Sequence, residues 1–108
     1  MPAPTESPAE LAAPAEPRLA PQWHVVLLDD DEHTYEYVVE MLCKIFNHDR
    51  DKAYKMACEV DRTGRAIVDT TALERAELKR DQIHAYGPDQ RIARCKGSMR
   101  AVLEPAPQ

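Results

Sequence analysis

Trp23-His-Val-Val-Leu-Leu28, Asp29-Asp-Asp-Glu-His-Thr34 and Tyr35-Glu-Tyr-Val-Val-Glu-Met-Leu-Cys-Lys-Ile-Phe46 are three consecutive stretches whose reading decides the fold. The first places Val and Leu at successive positions, so apolar side chains leave both faces of an extended segment, as in an interior strand. Four acids in a row then break it. In the third, Tyr35, Val38, Val39, Leu42, Ile45 and Phe46 recur at steps of three and four, which gives a helix one apolar stripe. A strand, a polar break and an amphipathic helix in succession predict a sheet with helices laid on it.

Downstream, Asn47-His48-Asp49 is a turn, and Asp49 is suited to cap the helix that follows. That helix carries Ala53, Met56, Ala57 and Val60 on one face and stops at Gly64. Arg65-Ala-Ile-Val68 is too short for a helix and reads as a strand. Thr71, with Glu74 three residues on, forms a capping box for a third helix, roughly to Tyr86, which Gly87-Pro88 ends. Ile92 to Leu103 reads as one or two strands with a turn or bulge at Lys96-Gly97-Ser98. The order is β-α-α-β-α-β. Without a glycine-rich βαβ fingerprint, it predicts an α+β fold, a small antiparallel sheet of about three strands packed against three helices.

Upstream, residues 1–21 hold six Pro and six Ala with no hydrophobic period, so an extended, disordered leader is expected. The domain proper is expected over residues 22–105, with 106–108 as a tail. Of 108 residues, that leaves enough for one small domain without a deep cofactor cavity. Nineteen acids against 14 bases give a net charge of −5, the wrong sign for a phosphate binder, and aromatics at 6% are too few for base stacking. No nucleic acid is therefore expected as a partner. No apolar run is long enough to span a bilayer, and the N-terminus lacks a basic start and an apolar stretch. Cys43, Cys58 and Cys95 are irregularly spaced and fit neither a disulfide framework nor a zinc ribbon, which points to a reducing cytoplasm.

The acidic run Asp29 to Glu32 stands where an interior strand ends. Two readings remain open for it. One is a solvated loop with one Asp capping the next helix; the other is a site for a cation, either a metal ion or an ammonium group. Contiguous acids without a glycine do not suit calcium. His24, His33, His48, His84 and the cysteines form no zinc motif, so they read as surface histidines and buried thiols. Ser98 has no nucleophile-elbow context, and a carboxylate pair such as Asp30 and Asp61 has no cleft to work in. Arg91, Arg94, Lys96 and Arg100 read as a solvated basic strand face. Nothing supports an enzyme.

Val26 to Leu42 resembles the signature of the ClpS family, adaptors that carry proteins with destabilising N-terminal residues to the ClpA unfoldase and its ClpP protease. The similarity continues from Ala53 to Gly64, through Gly64-Arg-Ala-Ile-Val68 and Thr71-Ala-Leu-Glu-Arg-Ala-Glu-Leu-Lys79, and resumes in Met99-Arg-Ala-Val-Leu-Glu-Pro105. It covers about residues 23 to 105 and implies the same α+β fold. In the family the first loop reads Asn-Asp-Asp, and its first two residues help hold a substrate's α-amino group. Asp29 and Asp30 stand at those positions here. The family's third amine contact is a histidine in a Val-His pair; here the pair is Val60-Asp61. The side-chain pocket corresponds to His33, Tyr35, Ala57, Val60 and Met99, with Tyr35 and Ala57 where the family has methionines. Glu74, Glu77 and Lys79 correspond to the surface that docks on the unfoldase.

The expectation is a non-enzymatic adaptor, with no cofactor or resident metal, that binds the N-terminal residue of substrates and hands them to a ClpA-type AAA+ unfoldase with ClpP. A cytoplasmic monomer without membrane contact is implied. Two rivals stand beside it. One is an interaction domain of the same fold that has lost or changed the pocket. The other is a small metal-binding protein using Asp29, Asp30, Asp61 and His33.

Overall fold

The computed structural model describes residues 20–107 apart from Asp31, Arg94 and Lys96. The chain runs β1 (Gln22–Leu28), α1 (Tyr35–Phe46), α2 (Arg50–Thr63), β2 (Arg65–Ala72), α3 (Leu73–His84) and β3 (Arg100–Pro105). β1 is the central strand of the order β2-β1-β3, and both pairings are antiparallel. The three-strand, three-helix α+β architecture is the one the sequence pattern predicts. Residues 1–19 of the expected leader lie outside the described residues.

Val25, Val26 and Leu27 are fully buried, as an interior strand demands. Val25 and Leu27 face the helices and join one core with Val38, Val39, Met41, Leu42, Ala53, Val60, Val68, Ala76, Ile83 and Ala101. Truncating a core Leu such as Leu27 to Ala costs about 2–5 kcal/mol. Val26 points the other way, between Ile67 and Val102 of the flanking strands. On that face Arg65 and Glu104 clasp one another across β1 through two hydrogen bonds, of 2.8 and 2.5 Å.

Local chemistry sets the helix ends. Thr34 accepts the Tyr37 amide at 3.1 Å and caps α1, while Asn47 closes it in the left-handed region at φ 59°. Asp49 accepts the Lys52 amide at 2.8 Å and opens α2. Gly64, at φ 91°, closes α2 in a conformation that glycine adopts without strain, and its amide donates to Val60 O at 2.8 Å. These turns set the C-terminal end of α2 beside the loop that leaves β1.

The third helix begins differently from the expectation. The β1–β2 ladder extends to Gln22↔Ala72, which holds Thr71 extended opposite Trp23. Thr71 is therefore no N-cap: β2 has eight residues, Ala72 takes the cap position without a side-chain bond, and α3 ends at His84, short of Tyr86. Glu74 falls in the first turn, where its charge suits the helix dipole. Of Ile92 to Leu103, only the part from Arg100 onward is strand. Cys95 and Met99 in the same stretch are buried but lie outside any strand.

The irregular segment between α3 and β3 hangs on Asp89. This side chain is 1% exposed and accepts hydrogen bonds from Thr34 N at 2.7 Å, Arg91 N at 3.0 Å and Arg91 Nη1 at 3.3 Å. Burial pushes its acidity towards the neutral form, but the donors from Thr34 and Arg91 outweigh it and hold the pKa down at about 2. Tyr37 adds a second tie, its hydroxyl donating to Gly87 O at 2.6 Å; burial pushes that hydroxyl up to about 12. Arg91 is not on a strand face. It pairs with Glu40 at 2.8 Å and Glu36 at 3.4 Å on α1, and Arg94 and Lys96 of the same expected cluster lie outside the described residues. Among the described residues, no helix is long and apolar enough to cross a membrane.

Candidate functional site

A cavity of about 50 Å³ opens where the β1–α1 loop, the first turns of α1, the last turns of α2 and the approach to β3 meet. Asp29, Asp30, His33, Thr34, Tyr35, Val38, Ala57, Val60, Asp61 and Met99 line it. The loop is fixed from below, since Asp29 N donates to Gly64 O at 3.0 Å. That bond brings the loop acids to the end of the helix that carries Asp61.

The polar wall is ordered. Asp30 Oδ1 accepts the Glu32 amide at 2.9 Å and faces His33 Nδ1 at 2.7 Å. His33 Nε2 lies 2.8 Å from Gly97 O and 3.3 Å from Cys95 Sγ, and the ring packs on Tyr37 at 4.5 Å. With its side chain 3% exposed, His33 is a wall of the cavity and not the surface histidine that its spacing suggested. Thr34, and not Asp29 or Asp30, caps α1. Across the opening, the Tyr35 hydroxyl donates to Asp61 Oδ2 at 2.6 Å. This carboxylate partner is the main reason that the Tyr35 pKa is raised to about 12.

The apolar wall is Val38, Ala57, Val60 and Met99, all buried. Ala57 and Val60 share one face of α2, one turn apart. Asp61 follows at the exposed rim. Charged acceptors on one side and aliphatic surface on the other suit a small ligand with an ammonium group and an apolar side chain.

The eight residues that the resemblance assigned to amine and side-chain contacts, Asp29, Asp30, Asp61, His33, Tyr35, Ala57, Val60 and Met99, all border this one cavity. Thr34 and Val38 also line it, although the sequence reading did not assign them there. Val38 lies one helical turn after Tyr35, so helix period was the available signal. Tyr54 was missed as well: its exposed ring lies 5.7 Å from that of Tyr35 at the rim. It stands one turn before Ala57 on the same helix.

The three docking positions do not share one surface. Glu74 and Glu77 are exposed on α3. Lys79 turns to another flank, where its Nζ donates to Ile45 O at 2.6 Å, 5.7 Å above the Phe46 ring. A metal-centred reading meets a shortage of ligands: among the described residues, no group of three or more His, Cys, Asp or Glu side chains converges to hold an ion. Ser98 accepts the Gly87 amide at 2.6 Å, a structural use of its hydroxyl.

Comparison with known proteins gives a consistent answer. Residues 18–92 match the family model for the ATP-dependent Clp protease adaptor protein ClpS. A relative from Nautilia profundicola, described as an ATP-dependent Clp protease adapter protein ClpS, is 34% identical over 83 residues, 76% of this chain and 79% of the relative. The structure of Agrobacterium tumefaciens ClpS2 bound to L-phenylalaninamide superposes with a TM-score of 0.69 at 23% identity, covering 81% of this chain and 99% of that one. The fold is the same.

Proposed function

The chain belongs to the ClpS family, the adaptors of the ATP-dependent Clp protease, and on that premise we propose that its cavity holds the N-terminal residue of a protein substrate, which the chain then delivers to a Clp-type AAA+ protease. The observation that carries this reading is the meeting of Asp29, Asp30 and Asp61 with Val38, Ala57, Val60 and Met99 around one cavity. A protonated α-amine has three donors and a full charge, and removing it from water without acceptors is costly. Carboxylates at the rim meet that need through charge-assisted hydrogen bonds. The aliphatic wall below takes the first side chain. Agrobacterium tumefaciens ClpS2 carries L-phenylalaninamide, a molecule with those two features, which supports the same arrangement here.

Asp61 in place of the family histidine exchanges a neutral partner for an anion, so this chain relies on charge at all three amine contacts. The chain performs no chemistry itself; the unfoldase and protease supply the work and the bond cleavage. Glu74 and Glu77, exposed on α3, are proposed as docking positions for a ClpA-type unfoldase; Lys79 is tied to Ile45 O on another flank and is left out of that surface. The Pro-rich leader, residues 1–21, is proposed to be the segment the unfoldase engages while the domain holds the substrate.

A second reading, an interaction domain whose pocket no longer accepts an N-terminal residue, is favoured by one observation: Tyr35 already bonds to Asp61 across a small opening. Fluorescence titration with peptides that differ only in residue one, each with a free and an acetylated N-terminus, separates the two. The adaptor discriminates among first residues and requires the free amine. An interaction domain without the pocket does neither.

A further inference from the structure

The Tyr35–Asp61 bond has no structural necessity. Tyr35 is 37% exposed and Asp61 is exposed, so water could satisfy both groups if they parted. Yet the bond is short, at 2.6 Å, and joins two residues that line the cavity from different helices. The hydroxyl is a donor across the physiological range, and the hydrogen bond to the Asp61 carboxylate pushes its pKa further up, to about 12. Asp61 uses only Oδ2 in the bond, which leaves Oδ1 for another donor.

Size decides what the bond does. The cavity of about 50 Å³ holds roughly two water-sized groups, whereas a dry cavity of about 150 Å³ is the known scale for benzene. The branched end of a Val side chain is about two such groups; a Phe ring is several more. A large side chain overfills this space, and Tyr35, the exposed aromatic ring of the lining, is the group whose displacement makes room; moving it breaks the bond to Asp61. The Tyr35 ring already lies beside that of Tyr54, 5.7 Å away, tilted by 53° and 54% exposed, so both rings stand at an open rim. Opening therefore gives up the bond to Asp61 with no new aromatic partner in return.

We propose that Tyr35 is a specificity-determining residue, whose hydroxyl bond to Asp61 admits small aliphatic first residues beneath a closed ring and penalises large ones, which must open it. This rests on the reading of the cavity as the site for a substrate's first residue. The ammonium group of a small residue uses Asp61 Oδ1 with Asp29 and Asp30 while the bond stays shut. A large residue first gives up one hydrogen bond to a charged acceptor. The penalty belongs to the hydroxyl and not to the ring.

The test compares labelled free-amine peptides, identical except for Val or Phe at residue one, against the full chain and its Tyr35→Phe variant, which keeps the ring and removes only the donor. Because both groups are exposed and water competes for them, the bond corresponds to the range of an ordinary net hydrogen bond, about 2- to 10-fold in affinity. The Phe peptide should tighten by that factor while the Val peptide is unchanged, so that the Phe-to-Val affinity ratio rises by the same factor. In an Asp61→Asn background the same Tyr35→Phe change should alter the Phe-to-Val ratio less, because the charged acceptor is gone. A merely structural role for Tyr35 would move both peptides together. Equal tightening of both peptides, or an unchanged ratio while binding persists, overturns the proposal alone. If neither peptide binds the wild-type chain in a free-amine-dependent manner, the reading of the cavity falls and the proposal falls with it.

Discussion

Replacing Asp89 by Asn should detach the segment that carries Cys95, Gly97 and Met99 to the cavity, and the loss should depend on pH. In the folded chain the Asp89 carboxylate accepts Thr34 N, Arg91 N and Arg91 Nη1. Burial opposes its charge, yet these donors hold its pKa at about 2, against an ordinary 3.8. A folded value below the unfolded one means that the contribution is complete above the unfolded pKa and is lost as pH falls through the folded one. That window runs from about pH 4 down to about pH 2. At about 1.4 kcal/mol per pH unit, the gap is worth about 2 kcal/mol. Asn keeps one acceptor but turns an amide donor towards donors that are already there, which adds a cost of about 1–3 kcal/mol at every pH. Urea titrations followed by circular dichroism at pH 7, 5, 4, 3 and 2 measure both parts. At pH 7 the variant should be less stable by about 3–5 kcal/mol, and the difference should shrink by about 2 kcal/mol between pH 5 and pH 2. A deficit that does not change with pH would refute the argument that the carboxylate's charge anchors the segment.

Other outcomes follow from the same geometry. Ala57→Met adds three heavy atoms, roughly 90 Å³ at the volume of water, to a cavity of about 50 Å³. Every first residue should bind at least about tenfold more weakly in a peptide titration, with a stability loss of about 1–3 kcal/mol, because the added volume exceeds the cavity at a buried position. Lys79→Met removes the donor on Ile45 O but keeps an apolar stem over Phe46, so thermal denaturation should show a loss of about 1 kcal/mol, or a melting temperature lower by about 5 °C. Deleting residues 1–18 should leave peptide affinity unchanged and stop degradation in a reconstituted protease assay; delivery at full rate would contradict the role proposed for the leader.

The parts of the fold that were legible in sequence are those set by local chemistry. The run Val25-Val-Leu27 had to be interior, Asp49 and Gly64 punctuate α2 as their side chains and backbone freedom dictate, and the helix period of α1 is unambiguous. Where the reading departed from the structure, a tertiary partner prevailed over a local preference. Thr71 has the chemistry of a cap, but pairing with Trp23 on the neighbouring strand keeps it extended. Residues 92–99 look strand-like only until Asp89 is seen to pull the segment onto Thr34, a contact across 55 residues that no local pattern encodes. For the cavity, the resemblance supplied eight of its residues, while Thr34 and Val38 needed the helix geometry, and Tyr54 needed its distance to Tyr35. The carboxylate of Asp61 could be read as a departure from the family. Its bond to Tyr35 could not, because both residues are substituted and only their side-chain geometry reveals the contact.

A cavity that binds a free α-amine together with its side chain must distinguish valinamide from N-acetylvalinamide, and two-dimensional NMR titration of the full chain with each compound reads that difference residue by residue. Saturable shifts are expected in the amides of Asp29, Asp30, Thr34, Tyr35, Ala57, Val60 and Asp61 with the free amine and none with the acetylated compound. Shifts of equal size with both compounds, or shifts confined to residues away from this cavity, would contradict binding of the amine here.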